Sequence, residues 1–148
     1  MNLVIGCDSL LIEQSKWITE QVSIDQPITP GIKQGSNEDS SQYALLYEGV
    51  LPVATAHLIF REGCVTLIRL DIIDKYRVEE NICFMFDNLI KYARRQGARQ
   101  LDIDANNNLK TFFQHIGFAH VEQSDGKSRG GFCQMRFWLK QQESCASS

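Results

Sequence analysis

Apolar positions in this chain follow two spacings, and the switches between them mark out the elements. Asn2-Leu3-Val4-Ile5 is a short extended run. Asp8 or Ser9 can then cap a helix whose apolar positions Leu10, Leu11, Trp17, Ile18 and Val22 keep a helical period. Three extended runs follow at 43–47, 53–60 and 65–73. Their separators, Glu48-Gly49-Val50-Leu51-Pro52 and Arg61-Glu62-Gly63, are short enough for hairpins, so an antiparallel meander is expected. From 82 to 97, Ile82, Phe86, Leu89, Ile90 and Ala93 form one stripe. Arg94 and Arg95 put cations in its last turn and Gly97 stops it. A strand at 100–104, a short helix at 109–116 closed by Gly117, a strand at 118–122 and a last strand at 132–139 complete an α/β (α+β) order.

Length and composition narrow this to one domain. With 148 residues, 43% of them hydrophobic, the chain suits a single core over 1–140, and the polar stretch 141–148 reads as a flexible tail. A net charge of -3 gives no basic footprint, so nucleic acid is not an expected partner. No apolar run approaches the roughly 20 residues that span a bilayer, and no basic signal region opens the chain. No membrane partner and a cytoplasmic location are therefore expected. The five cysteines are scattered, with no C-x-x-C pair, and read as reduced thiols, most of them in the core, with no metal site. Between 25 and 41 the residues Pro27, Pro30, Gly31, Gly35, Ser36 and Asn37 predict a long loop.

Three segments carry a family resemblance. Arg69-Leu70-Asp71-Ile72-Ile73-Asp74-Lys75-Tyr76-Arg77 looks like the central strand of the GNAT acyltransferases and the arginine that opens their CoA loop. The stretch from Asp104-Ala105-Asn106-Asn107-Asn108 to Phe112-Phe113-Gln114-His115-Ile116-Gly117-Phe118 is similar to their strand, short helix and F-Y-x-x-x-G-F motif. Gly131-Phe132-Cys133-Gln134-Met135-Arg136 resembles the closing strand of the ElaA-like branch. The resemblance covers residues 43 to 140 and implies a GNAT fold, with a mixed sheet of about six or seven strands flanked by about four helices.

It further implies acyl-CoA as co-substrate. In this family the thioester lies in a splay between two central strands, main-chain groups of the third meander strand bind pantetheine, and the pyrophosphate sits where a helix begins, at unpaired N–H groups. Carried over by position, Leu70 and Ile72 would bind pantetheine, Asp104 and Asn106 would bind its amides, Arg77, Val78, Glu80, Asn81 and Ile82 would form the phosphate loop, and Phe113 would also contact the co-substrate. The family pattern R/Q-x-x-G-x-G/A keeps Arg77, but its two glycines are Glu80 and Ile82 here. Phe113 replaces the motif tyrosine and Ile68 stands where ElaA-like proteins carry a glutamate, so neither position can exchange a proton. Asp71, in an apolar run, and His57 are the candidate bases. Each also reads as a hydrogen-bonded structural residue.

The expected function is an acyl-CoA-dependent N-acetyltransferase acting on a small-molecule or peptide amine. The alternatives are a catalytically inactive GNAT-fold ligand- or protein-binding module, and a structural subunit that pairs, as a homodimer for example, through an exposed sheet edge such as its last strand.

Overall fold

Hairpins joined by left-handed turns set the sheet. The computed structural model describes residues 1–22, 27–29, 41–121 and 131–139. Strand β2 (Ser41–Glu48) turns through Gly49, at φ 65°, into β3 (Leu51–Arg61). Glu62 and Gly63, both at positive φ, turn β3 into β4 (Cys64–Ile72), as a two-residue hairpin of the observed twist requires. Strand β1 (Asn2–Gly6) lies antiparallel to β2. Beyond β4 the sheet continues through β5 (Gln100–Asn106), β6 (Ala119–His120) and β7 (Phe132–Trp138), giving seven strands in the order β1-β2-β3-β4-β5-β7-β6. Among the described residues only β4 and β5 run parallel. The last strand is therefore interior, paired with β5 and β6, and the expectation that it forms an exposed edge is corrected.

Helices cover both faces. Helix α1 (Ser9–Gln21) is capped by Asp8, whose side chain accepts from Leu11 N–H at 3.3 Å, and buries Leu11, Ser15 and Ile18 at helical spacing. Leu11 and Ile18 meet Leu45 on one face of the sheet. Helix α2 (Glu79–Arg95) buries Ile82, Met85, Phe86, Leu89 and Ala93 on the opposite face. Helix α3 (Lys110–His115) joins it there through Phe113, edge-on to Phe86 and Phe118. Among the described residues there are three α-helices and two short 3-10 turns, Asp74–Tyr76 and Asn107–Leu109, against the expected four helices. Strand β6 starts at Ala119 rather than at the expected 118 because Phe118 is still tied to the helix end, its N–H donating to Phe113 C=O at 2.9 Å, and residue 122 of the expected strand lies outside the described residues.

Of the four described cysteines, all free thiols, only Cys133 is buried. Cys64 is half-buried and Cys7 and Cys83 are exposed, which among the described residues corrects the expectation that most of the cysteines are core residues. The glycine-rich turn before Gly131, the 141–148 tail and most of the 25–41 loop lie outside the described residues.

Gly117 is fixed by space as well as by backbone. Its φ is 117°, and a Cβ there would stand 2.6 Å from the Phe137 ring. Gly117→Ala should lower unfolding free energy by about 2–4 kcal/mol, through strain and overpacking together. At Gly49 a Cβ would meet nothing within 4 Å, and the alanine variant should lose only about 1–2 kcal/mol, from backbone strain alone. Urea denaturation of the two variants checks the difference.

Candidate functional site

The parallel pair β4 and β5 is in register only from Cys64↔Gln100 to Leu67↔Ile103. On the other side of β4, the partner of His57 is Arg69 and that of Leu58 is Leu67, so Ile68 is bulged out of the antiparallel ladder as well. Past Ile68 the two central strands part. The splay that the resemblance implies is therefore present.

Part of this chain's own loop occupies it. Thr29 Oγ1 accepts from Leu70 N–H at 3.1 Å, Ile28 C=O accepts from Asn106 N–H at 2.9 Å, and Pro27 C=O accepts from Asn106 Nδ2 at 2.9 Å. Ile28 and Thr29 are each only 3% exposed. Two residues assigned to the co-substrate, Leu70 and Asn106, thus hold groups of the 27–29 segment. Asn106 also caps the following turn, its Oδ1 accepting from Asn108 N–H.

On the α1 face of the sheet, beside the splay, lies a cavity of about 440 Å³. Its floor is Tyr43 of β2, Thr55 and His57 of β3, and Ile68, Arg69 and Asp71 of β4. Ser15, Lys16, Thr19 and Glu20 of α1 wall it. The two candidate bases, separated by 14 positions in sequence, come together here because cross-strand pairing aligns Tyr43, His57 and Arg69 on one line and sets Thr55 beside Asp71. Asp71 is an ion-paired carboxylate. Its Oδ2 accepts from Arg69 Nε at 2.6 Å and from Thr19 Oγ1 at 3.0 Å. His57 stacks on Tyr43, with centroids 4.4 Å apart, and shares a hydrogen bond through Nε2 with Ser41 Oγ. Burial lowers its pKa below the usual imidazole value, which keeps the ring neutral.

At the other end of the splay, Asn81 and Ile82 N–H both donate to Val78 C=O at 3.1 Å, and Asn81 Nδ2 donates to Tyr76 C=O. Among the described residues this leaves the N–H groups of Glu79 and Glu80 as the open donors of the first turn, with both glutamate side chains exposed. Ile82 is in the core at 6% exposure, and Arg77 is half-buried before the helix. Asp104 is half-buried on β5, one strand residue from Ala105 in the core. Ile72 is paired with Ala54. Phe113 is fully buried among Phe86, Phe112 and Phe118, so its ring is core.

Sequence reasoning missed the cavity roles of Arg69, Thr19 and Tyr43, the Ser41 partner of His57, and the plug at Thr29. A signal existed for one of them: Arg69 and Asp71 are two apart on a strand and so share a face.

No protein-family model matches the chain, and no curated protein matches it. Solved structures do. A putative N-acetyltransferase from Lactobacillus plantarum superposes at TM-score 0.77 with 15% identity, over 94% of this chain and 98% of that one. The ribosomal-protein-S18-alanine N-acetyltransferase from Escherichia coli gives 0.72 with 12% identity, over 99% and 100%. Escherichia coli ElaA gives 0.71 with 14% identity, over 93% and 99%. Identities this low speak for the backbone, and with the splay, the β4 bulge and the strand order they establish that this chain has the GNAT N-acetyltransferase fold.

Proposed function

We propose that the chain is an acyl-CoA-dependent N-acyltransferase whose amine acceptor enters the cavity between α1 and the sheet. One observation carries this reading. Ile68 is the residue at which β4 leaves β5, and it also lines the cavity, so the acyl-donor groove and the acceptor cavity meet there.

The groups at the splay suit acyl-CoA in kind. Leu70 N–H is aimed into the groove at an oxygen acceptor, for which the Thr29 hydroxyl now stands. Ile72 lies next along β4, and the open N–H groups of Glu79 and Glu80 begin α2 with Arg77 before them. Acyl-CoA supplies an activated thioester carbonyl. Leu70 N–H would hold the oxygen of that carbonyl once Thr29 has withdrawn, and Asp71 would hold the incoming ammonium. The ammonium loses one proton before it can attack, which neutral His57 is placed to take, directly or through water, and a second as the amide forms, which passes to solvent. Ile68 and Phe113 offer no proton to the leaving thiolate. Positioning must therefore supply most of the rate, and orientation alone can be worth about 7–11 kcal/mol.

A second reading, a GNAT-fold ligand-binding module without turnover, is favoured by Ile28 and Thr29 in the splay and by the two carboxylates at its phosphate end. Calorimetric titration of acetyl-CoA separates the two. Binding is expected, and Glu80→Gly should tighten it about two- to fivefold, the equivalent of the ~0.3–1 kcal/mol of a charge at a helix start. No heat and no thermal shift at about millimolar acetyl-CoA, for wild type and variant alike, would leave only the binding module.

The state of His57 has its own test. Its pKa is lower in the folded chain than unfolded, so the unfolded state binds more protons as pH falls. The stability it contributes is complete above the unfolded value of about 6.5 and is lost as pH drops through the lowered folded value. His57→Asn should flatten the fall in urea midpoint below pH ~6.5. An unchanged slope would mean that the imidazole is not held neutral.

A further inference from the structure

The charges in the α1 cavity leave groups over: the fold uses Asp71 Oδ2 and Arg69 Nε, and the transfer step, which gives Asp71 to the ammonium, has no use for the terminal nitrogens of Arg69. Asp71 is a buried carboxylate whose side chain is 9% exposed, and both of its bonds fall on Oδ2. Its Oδ1 has no recorded partner among the described residues, although the side chain lines the cavity. Arg69, 35% exposed at the side chain, engages Asp71 through Nε. No described residue takes the two terminal nitrogens of that guanidinium. The floor therefore presents an unused carboxylate oxygen beside an unused pair of guanidinium donors. At the rim, one turn of α1 apart, Lys16 and Glu20 repeat both signs.

A lone amine placed here would satisfy Asp71 and leave the Arg69 fork to water, and a lone acid would do the reverse. A molecule with an ammonium and a carboxylate on one carbon answers both, because its dipole lies antiparallel to that of the ion pair. Bidentate guanidinium–carboxylate contact is also the geometry for which arginine is suited. The stacked Tyr43 and His57 rings form a flat wall for a side chain, and 440 Å³ falls within the range of about 300–1,000 Å³ of small-ligand sites.

We infer that the cavity binds a free α-amino acid, its carboxylate on the terminal nitrogens of Arg69 and its amino group on Asp71 Oδ1. The inference rests on the transferase reading for the role of this ligand, as acyl acceptor, and not for its binding. In that role the amino nitrogen forms the new bond to the acyl carbon as the carbon–sulfur bond breaks. The bound ammonium gives up two protons in all, one to His57 or to water before its nitrogen attacks and one to water as the amide forms, and CoA leaves as the thiolate, to be protonated by solvent.

The test is ligand-observed NMR or calorimetry on the full chain without acyl-CoA. The probes are phenylalanine, 2-phenylethylamine and 3-phenylpropionate, with the corresponding leucine trio. Each amino acid should bind at least about tenfold more tightly than its amine or acid analogue. Arg69→Gln should reduce amino-acid affinity about tenfold, to the level of the amine, and Arg69→Lys should restore only part of it. Parity between amino acid and amine in the wild type, or no binding of either amino acid at about 10 mM, overturns the inference. Because Asp71 also ties α1 to β4, Arg69 and the ligand analogues carry the test rather than an Asp71 variant. A chain that binds phenylalanine or leucine in this way but not acetyl-CoA would refute the transferase and leave the amino-acid site standing.

Discussion

The parting of β4 from β5 after Leu67 and Ile103 is the constraint on which the remainder of the structure depends. Two parallel strands kept together would use each other's main-chain groups, and separated they leave donors facing a dry interior. A buried donor left without a partner costs about 1–3 kcal/mol. The chain meets that need at Leu70 with the Thr29 hydroxyl, 41 positions away, and at Asn106 with the carbonyls of Ile28 and Pro27. Ile28 and Thr29, in a stretch of otherwise loop-like composition, are thereby fixed at 3% exposure between two central strands. The same opening that suits an acyl-donor groove obliges the protein to close it with something of its own.

A second requirement follows from Asp71. A carboxylate at 7% exposure in an apolar strand needs countercharge and donors, because an isolated buried charge is far less tolerable than a paired one. Arg69 provides the charge from the same strand face, and Thr19 provides a donor from α1. Thr19 is joined by Ser15, bonded to Thr55 at 2.7 Å, and by Gln14, bonded to Tyr47. Helix α1 is consequently seated by polar links around the apolar contact of Leu11 and Ile18 with Leu45. The cavity lies beside this polar seam, lined by Ser15 and Thr19 of α1 and by Thr55 and Asp71 of the sheet.

This division explains what could be read from the sequence. The meander, α2, β5 and α3 come from local patterns, apolar alternation and glycine stops, and their observed limits lie within a few residues of those expected. Asp71 and His57 were legible as polar side chains on strands, and the strand register brings them to one cavity. Thr29 was not legible, since its contact with Leu70 depends on a splay that no local spacing encodes. The position of β7 between β5 and β6 was missed for the same reason: sequence order makes a last strand look like an edge, whereas pairing is decided by which edge of β5 remains open. Phe113 stood out through a motif, and its burial beside Phe86 and Phe118 shows that the motif position also serves the core.

The departures at α2 are smaller obstacles than their sequence suggests. Glu79 and Glu80 are exposed, and in water two unit charges about 4 Å apart repel by only ~1 kcal/mol. That is close to the ~0.3–1 kcal/mol by which a helix N-terminus attracts an anion. The two effects nearly cancel, so the open N–H groups and Arg77 decide the balance. Ile82, where the family has a second glycine, turns its side chain into the core with Met85 and Phe86, away from the solvent at the helix start. At Leu70, replacing the Thr29 oxygen by another oxygen exchanges one hydrogen bond for a similar one, a difference of about 1 kcal/mol. The greater term is the burial of Ile28, which anchors the 27–29 segment by packing as well as by hydrogen bonds. On the proposed transferase reading, entry of an acyl donor would therefore be governed more by this apolar anchor than by the missing glycines.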